Sequence, residues 1–377
     1  MASLDIHYYR RDQLDSQRWD QCIDNAGNGN VYAYSGYLDG MAQNWDALVL
    51  NDYEAVMPLT WNRKWGIPYL YQPAFTAAAG VFGNGITGTV LQAFLLAIPR
   101  KFRLIEISLN SGNMAPLQEL LSRKRVGEKE QGAVDELLPQ GQGIVDADLQ
   151  KEHGSADKMQ LPEQGITDAG LAKKQVPDGA ALPTGFEKPG ALIVRNNYLL
   201  DLRLPYEALW AGYRDNIRRN IKKAQQAGHQ YGTGIPVQEV IRLAQWQEQQ
   251  RSGVKTEDYN RFIALYNHLL HAGQAMTCGV RTAGGELVAS CVYFFSHKRA
   301  YYILVGNHPN GRTGGASHFL IDRFIQAHAG QELLLDFEGS DLRNLAFFYS
   351  SFGASLETYP AVRVNRLPWY VNLLRRG

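Results

Sequence analysis

The stretch from Arg299 to Ala329 contains the residue types that an anionic ligand needs. It begins with AYYILVG, which has the composition of a strand, continues with the glycine-rich NGRTGGAS and ends with HFLIDRFIQA, which has the pattern of a helix. The first turn of a helix presents unpaired N–H groups and a partial positive charge, and glycines let a phosphate approach the backbone. The pattern predicts an anion site or, as the alternative, an ordinary strand-to-helix loop.

Four residues of this stretch are the candidates for holding the anion. Arg312 would supply a fixed charge on a planar set of donors. Gly314, Gly315 and the amides near Ser317 would surround the anion. The expected ligand is therefore a phosphate or a diphosphate.

A second group of candidates is a set of cations in a helix pattern. The set occupies ten residues and consists of Arg214, Arg218, Arg219, Lys222 and Lys223. Only Asp215 balances them, and an apolar stripe lies beside them. Such a local field suits a phosphate, a nucleotide or an acidic glycan, whereas the alternative is a solvated helix face.

Two acids occur in the stretch LLLDFEGS. Asp336 and Glu338 are two residues apart in a strand pattern, so their side chains share one face of the sheet. A carboxylate at the end of a buried strand can act as a general base toward an amine or a hydroxyl. Both residues are candidate catalytic groups, and the alternative for each is a structural or capping acid.

Three other patterns indicate chemistry less well. Residues 83–88 match GxGxxG, but TAAAGVF before them makes a poor parallel strand, so a dinucleotide site is not favoured. His268 and His271 lie three apart in a helix pattern without an acidic or cysteine partner, so we expect no metal site. The aromatic residues between positions 61 and 75 are more typical of packing than of a substrate groove.

Composition narrows the function classes. The chain has 377 residues, 45% of them hydrophobic, which is enough for two domains. Its net charge of +1 gives no overall attraction to DNA or to an anionic membrane, so any basic patch must be local. The three cysteines lack metal-like spacing, and the N-terminus has no apolar signal segment. We therefore expect a cytoplasmic protein without a transmembrane segment.

The elements that must position these residues fall into two halves. Residues 1–110 and 191–377 both show strand and helix patterns of a mixed α/β protein, and Tyr206 to Ala227 reads as one long helix ending at Gly228. Between the halves, residues 111–190 contain a single aromatic residue, Phe186, among many polar residues, glycines and prolines. Such a segment buries too little apolar surface to fold, so we predict a long, mostly disordered insertion, with a helical turn or two between Pro116 and Arg125.

The second half resembles the GNAT/FemAB superfamily. The stretch NNYLLDLRLPYEALWAGYRDNIRRNIKKAQQAG is similar to the opening of the second domain in FemAB-type proteins, where a strand ending Leu-Asp-Leu leads into a helix with Arg-x-x-Ile-x-Lys-Ala and a terminal glycine. LLLDFEGS followed by FFYSSFGA resembles the Phe-Asp-Phe-x-Gly segment of this group. The GNAT pattern Arg/Gln-x-x-Gly-x-Gly/Ala fits from Arg312, except that Ser317 replaces the last small residue.

The resemblance implies two tandem GNAT-like domains, each a mostly antiparallel sheet flanked by helices, and acyl transfer to an amine. Acyl-CoA would be a cosubstrate, not a permanent cofactor, with its diphosphate at the Arg312 turn. The strand from Tyr301 to Val305 would pair with the pantetheine arm and polarise the thioester. The acceptor would be a small molecule or a bacterial cell-envelope precursor.

Two alternatives stay open. The first is a FemAB-like aminoacyltransferase that takes its acyl group from aminoacyl-tRNA, with the basic helix contacting the tRNA. The second is a non-catalytic module that binds an acidic polysaccharide or a nucleotide-sugar on the same scaffold. The oligomeric state does not follow from the sequence.

Overall fold

The computed structural model of the chain describes residues 4–131, 191–248, 254–339 and 341–367, with side chains for all of these except 123–131, 247–248 and 312–313. The helices are α1 (Ser16–Asn25), α2 (Ser35–Met41), α3 (Gly88–Ala97), α4 (Met114–Gln131), α5 (Tyr206–Ala211), α6 (Asp215–Gln226), α7 (Val237–Glu248), α8 (Thr256–His271), α9 (Pro309–Gly314), α10 (Ala316–His328) and α11 (Arg343–Ser350). The strands are β1 (Ile6–Arg10), β2 (Asn44–Leu50), β3 (Ala55–Lys64), β4 (Ile67–Leu70), β5 (Phe82–Gly83), β6 (Leu104–Ser108), β7 (Leu192–Asp201), β8 (Gln230–Thr233), β9 (Ala275–Arg281), β10 (Leu287–Ser296), β11 (Arg299–Asn307), β12 (Leu334–Asp336) and β13 (Ser355–Asn365).

One continuous sheet runs through both halves in the order β1-β2-β3-β4-β6-β13-β7-β12-β11-β10-β9-β8, with β5 paired to β3. Its pairs are antiparallel except β4 with β6 and β11 with β12. Helices cover the sheet, so the mixed α/β class and the mostly antiparallel sheet are confirmed. In the part of the chain described, no helix combines the length and the hydropathy that crossing a bilayer requires.

The halves are joined at the middle of the sheet by β13. This strand comes from the end of the sequence, yet it pairs with β6 of the first half on one side and with β7 on the other. A buried apolar cluster also crosses the boundary, because Tyr37 and Met41 pack with Phe262, Phe294 and Tyr301. The division at 1–110, 111–190 and 191–377 remains a prediction, and no gap in the sheet coincides with it.

The predicted helix from Tyr206 to Ala227 is wrong as a single element. It is divided into α5 and α6, because Gly212 ends α5 and Arg214 is extended, with φ −70° and ψ 156°. Ile217 and Ile221 of α6 are fully buried, and the predicted stop at Gly228 has φ +69°, the left-handed conformation that glycine adopts most readily. The apolar stripe was therefore read correctly, but the break was not.

The start of the predicted insertion is also corrected. Residues 111–131 are helical, first as a short 3-10 turn at Ser111–Asn113 and then as α4. Leu117 and Leu120 are buried in the core of the first half beneath α3. These two leucines explain why the segment folds. The rest of the predicted insertion, 132–190, lies outside the described residues.

Candidate active site

A cavity of about 160 Å³ lies where the two halves meet. One wall comes from the loop 27–32 and from residues 77–78 and 110–112 of the first half. The other wall comes from the beginning of β11 and the end of β12, including Asp336 and Glu338. The structure thus brings the two predicted acids to one cavity and adds first-half residues that the sequence did not connect with them.

The carboxylate of Asp336 is held by its neighbours on three sides. Arg299 Nη1 donates to Oδ2 at 2.9 Å, and Asn197 Nδ2 and the Glu338 backbone N–H each donate to Oδ1 at 2.9 Å. Burial raises the pKa of Asp336, while the Arg299 charge and these donors oppose the shift. Asp336 is only 3% exposed. This carboxylate fastens β12 to β11 and β7, so it suits a positioning role better than proton transfer.

Arg299 and Asn197 extend this network to Glu357 on β13. Arg299 Nη2 donates to Glu357 Oε1 at 2.9 Å, and Asn197 Nδ2 lies 3.2 Å from Glu357 Oε2. Asn197 Oδ1 also accepts from the Gly339 backbone N–H at 2.7 Å. Hydrogen bonds of Asp336 and of Gly339 therefore fix the chain on both sides of Glu338.

Glu338 is the acid that faces the cavity. It is a non-glycine residue with φ 62°, a left-handed conformation that costs on the order of 1 kcal/mol and that concentrates at functional sites. Burial raises the pKa of Glu338 well above its usual value, and the charge of Asp336 raises it further. A carboxylate whose pKa is raised is a stronger base toward an incoming nucleophile than an ordinary carboxylate.

Two tyrosines complete the cavity wall around Glu338. Tyr32 and Tyr301 are each 2% exposed, and their rings meet edge to face with centroids 5.5 Å apart. Neither hydroxyl has a hydrogen-bond partner of good geometry among the described residues, although the Tyr32 hydroxyl is close enough to lower the Glu338 pKa. Unsatisfied buried hydroxyl groups are costly, so these two suit contact with a ligand.

His297 holds the second half against the first at this cavity. It sits in the two-residue turn between β10 and β11, and its Nε2 donates to the Ile23 carbonyl of α1 at 2.8 Å. Its Nδ1 then accepts from Ser296 Oγ at 3.0 Å. A Cβ at Gly29 would lie 2.2 Å from Nε2, so only glycine permits this approach.

β11 and β12 part beside the cavity. Their parallel pairing covers only residues 299–301 against 334–336, while β11 stays paired with β10 as far as Asn307. Beyond Tyr301, the β12-facing edge of β11 has no paired strand among the described elements. Val305, the predicted donor contact, lies on this edge. An extended chain could therefore hydrogen-bond to the backbone of residues 302–307.

The glycine-rich turn at the far end of β11 is helical. α9 fills residues 309–314, and Gly315, with φ 76°, then starts α10 without a side-chain cap. A Cβ at Gly315 would lie 2.3 Å from the Asn220 carbonyl oxygen of α6, and one at Gly314 would lie 3.0 Å from His229 Nε2. Close packing alone therefore accounts for these glycines.

The other two predicted residues of this turn, Ser317 and Arg312, neither support nor exclude an anion site. The Ser317 hydroxyl donates to Asn307 Oδ1. The Arg312 side chain lies outside the described residues. The anion site at Arg312, Gly314, Gly315 and Ser317 stays a prediction, and its glycines have a second explanation.

The predicted cations of α6 separate into two kinds. Arg218 is used by the fold, because its Nη2 donates to the Ala211 carbonyl at 2.7 Å and its Nε to that of Trp210 at 3.3 Å. The Arg214 guanidinium lies over the Phe347 ring, 4.9 Å from its centroid. Arg219, Lys222 and Lys223 are exposed, so a ligand could reach these three members of the set.

Several site residues were missed from the sequence. Arg299 and Tyr301 stand on the same face of β11 by simple alternation, so Arg299 could have been found from the strand pattern. Tyr32 and Asn197 had no such signal, because their place in the cavity depends on contacts between the halves. Among the described residues, no group of histidine, cysteine, aspartate and glutamate side chains forms a metal site.

A family model described as an acetyltransferase (GNAT) domain matches residues 211–343. The match extends from the end of α5 to the start of α11, so it contains the glycine-rich turn, β11, β12 and both acids. No curated protein matches the sequence.

Among solved structures, the match to FemX covers 99% of this chain and 100% of the FemX chain, with a TM-score of 0.58 and 11% sequence identity. The match to L-PGS from Bacillus licheniformis covers 96% of this chain and 95% of the L-PGS chain, with a TM-score of 0.45 and 11% sequence identity. The match to a conserved protein of unknown function from Bacteroides thetaiotaomicron covers 96% of this chain and 99% of that protein's chain, with a TM-score of 0.46 and 12% sequence identity. At such identities the likeness to FemX establishes the fold alone, and the other two likenesses are too distant to support an argument.

Proposed function

We propose that the chain is a FemAB-related acyltransferase of GNAT-like fold and that it moves an acyl group from an acyl-CoA to an amine bound beside Glu338. The acceptor would be a small molecule or a cell-envelope precursor. One observation carries the proposal: β11 and β12 part at Tyr301 and Asp336, where Glu338 enters the cavity. A thioester lying along the open edge of β11 would then end next to a carboxylate of raised pKa.

The transfer would proceed by direct attack. The amine nitrogen forms a bond with the thioester carbonyl carbon as Glu338 accepts a proton from it, and the carbon–sulfur bond breaks to release the thiolate, which recovers the proton. A backbone N–H on the β11 edge would donate to the carbonyl oxygen as its negative charge develops. One donor of this kind lowers the barrier by about 3 kcal/mol. Holding the amine and the thioester together in the cleft lowers the activation barrier further by proximity.

The donor would lie along β11 from the cavity to the turn. Val305 and its neighbours would pair with the pantetheine arm. The first turn of α10 and Arg312 would hold the diphosphate, with Gly314, Gly315 and Ser317 around it. The backbone of β11 rises about 3.3 Å per residue, so the six residues from 302 to 307 span about 20 Å, a length suited to the arm.

Ligand protection against heat tests the donor. We expect coenzyme A to raise the melting temperature of the full chain and Arg312→Ala to abolish the rise. Arg10→Ala, which removes an exposed arginine from the opposite edge of the sheet, is the matched control and should keep it. Absence of a shift with every CoA thioester tried would contradict an acyl-CoA donor.

The exposed cations of α6 favour a second candidate donor, aminoacyl-tRNA. Arg219 and Lys222 could contact phosphates, and such binding weakens steeply as salt rises. Tight, salt-dependent binding of charged tRNA, together with no response to coenzyme A, would select this donor. The same cavity would still hold the amine, so loss of Glu338 would stop turnover with either donor. A non-catalytic binding module would instead bind ligand without turnover.

A further inference from the structure

The tip of the β3–β4 hairpin carries a tryptophan that the fold does not use. β3 and β4 are joined by Trp65 and Gly66, a two-residue turn in which both residues have positive φ, 52° and 76°. Such turns favour asparagine followed by glycine, and a bulky aromatic residue in the left-handed region is strained. Trp65 is also 59% exposed. Its side chain thus adds strain and exposed apolar surface, which points to a role outside the fold.

Six cations belong to this hairpin or lie close to its strands. They are Arg63, Lys64, Arg100, Lys101, Arg103 and Arg366, called here the hairpin patch together with Trp65. Lys64 Nζ lies 4.9 Å from the Trp65 ring centroid, and the Arg63 guanidinium and Lys101 Nζ lie 5.6 Å and 5.8 Å from that of Trp61. These distances place the three cations over the indoles of Trp61 and Trp65, which lie four residues apart in the same hairpin.

The other cations adjoin β4 through the backbone. The Arg103 N–H donates to the Pro68 carbonyl at 3.3 Å, and the Arg366 N–H donates to that of Arg103 at 2.7 Å. Burial lowers the pKa of Arg366, and the charges of Arg100 and Arg103 lower it further, so these three charges lie close together.

Two acidic side chains of the described residues lie near these cations. Asp46 lies 3.7 Å from Lys101 Nζ, and Glu106 is ion-paired with Arg363 at 3.0 Å. An apolar groove of about 200 Å³ adjoins the cations and includes Trp65, Ile67, Tyr69 and Leu104. The net charge of the chain is only +1, so this patch is a local concentration.

We propose that the hairpin patch docks the protein on the surface of an anionic phospholipid bilayer. Lipid phosphates would meet the six cations, and the Trp65 indole would enter the interface between headgroups and acyl chains, where tryptophan is favoured. An indole raised on a hairpin tip among cations fits a soft, flat anionic surface. Docking here is independent of the acyl donor and of the cavity.

Flotation with vesicles tests the proposal. We expect the full chain to bind vesicles of phosphatidylglycerol mixed with phosphatidylcholine, and to dissociate in about 1 M salt, where charges are screened beyond about 3 Å. Removal of one cation should lower the partition coefficient about fivefold. Arg63→Glu combined with Lys64→Glu should abolish binding. Equal binding to phosphatidylcholine alone would overturn the proposal.

Trp65→Asn separates docking from folding. Asparagine suits the turn, so the variant should melt at a higher temperature than the wild type and yet bind anionic vesicles weakly. Trp246→Ala is the matched control, since Trp246 is 45% exposed on α7 but stacks on His308 at 4.9 Å. It should bind like the wild type. Wild-type binding by Trp65→Asn would refute the role of the indole.

Two further outcomes would reassign the patch. Lys222→Glu with Lys223→Glu removes exposed cations from α6, and loss of vesicle binding in that variant alone would place the membrane contact on α6. RNA that binds the hairpin patch and is not displaced by anionic vesicles would make the patch a nucleic-acid site. Either result would overturn the proposal while leaving the acyl-transfer proposal intact.

Discussion

The two ends of β11 differ in what their polar groups contact. At its start, the hydroxyls of Tyr32 and Tyr301 have no hydrogen-bond partner of good geometry among the described residues, and both tyrosines line a cavity with Glu338. At its end, Gly315 fits closely against α6, and the Ser317 hydroxyl is bonded to Asn307. A glycine-rich sequence can therefore reflect packing, whereas unsatisfied buried groups around a strained acid point more directly to a ligand.

The largest expected effect is at the cavity end. Glu338→Gln should lower kcat about 10²–10⁴-fold, because it removes the proton acceptor while keeping the size of the side chain. Thiol release from an acyl-CoA in the presence of an amine acceptor measures the rate. Glu332→Gln, which changes an exposed acid bonded to Lys298, is the control and should retain wild-type turnover. A fully active Glu338→Gln variant would remove Glu338 from the chemistry.

A large effect on stability is expected at the turn end. Gly315→Ala should lower the free energy of unfolding by about 2–4 kcal/mol, because its Cβ would meet the Asn220 carbonyl and its φ is left-handed. Gly285→Ala isolates the second cause, since a Cβ there meets nothing within 4 Å at φ +86°. It should cost about 1 kcal/mol. Equal losses in denaturant titrations of the two variants would show that α6 does not require the glycine.

A smaller effect concerns the pH dependence of stability. The pKa of Glu338 is raised on folding, so its contribution to stability is fully present below the unfolded value of about 4.3 and is lost as pH rises through the folded value. Glu338→Gln should therefore be more stable than the wild type at alkaline pH, by about 1.4 kcal/mol for each unit of the shift. The gain should vanish below pH 4. Thermal unfolding across this range measures it, and a gain independent of pH would contradict the raised pKa.

The smallest effect separates two neighbouring arginines of α6. Arg218→Ala should lower the free energy of unfolding by about 0.5–1 kcal/mol, since Arg218 donates to the last carbonyls of α5. Arg219→Ala should leave stability within about 0.5 kcal/mol and weaken anion binding instead. Chemical denaturation and a binding titration distinguish the two. The reverse pattern would mean that Arg218, and not Arg219, faces the ligand.

Much of the fold followed from local pattern. The stop at Gly228 depends on residues close together in sequence, and that prediction was sound. Asp336 and Glu338 line one cavity, but β12 ends at Asp336 and Glu338 has φ 62°, so strand alternation does not explain their common position. β4 was missed because Pro68 is atypical of strands, and the break before α6 was missed because Ile217 continues the apolar period. Propensity alone does not decide such short segments.

The cavity could be predicted only on one side. Its two acids belong to one stretch of sequence. Tyr32 comes close to Glu338 because His297 docks on α1, and that contact joins Ile23 and His297, which are 274 positions apart. The role of Gly315 also depends on α6, which lies almost 100 residues earlier in the chain. Contacts between such distant segments cannot be predicted from the spacing of residues in a single sequence.

The position of β13 has a consequence for biosynthesis. During synthesis, β6 has an exposed edge until residues 355–365 have emerged, since β13 is its partner there. The ion pair of Arg363 with Glu106 joins positions 257 apart, and contacts of such separation form late. The first half therefore remains an incomplete sheet on the ribosome, with an open strand edge that must avoid other chains until β13 has emerged.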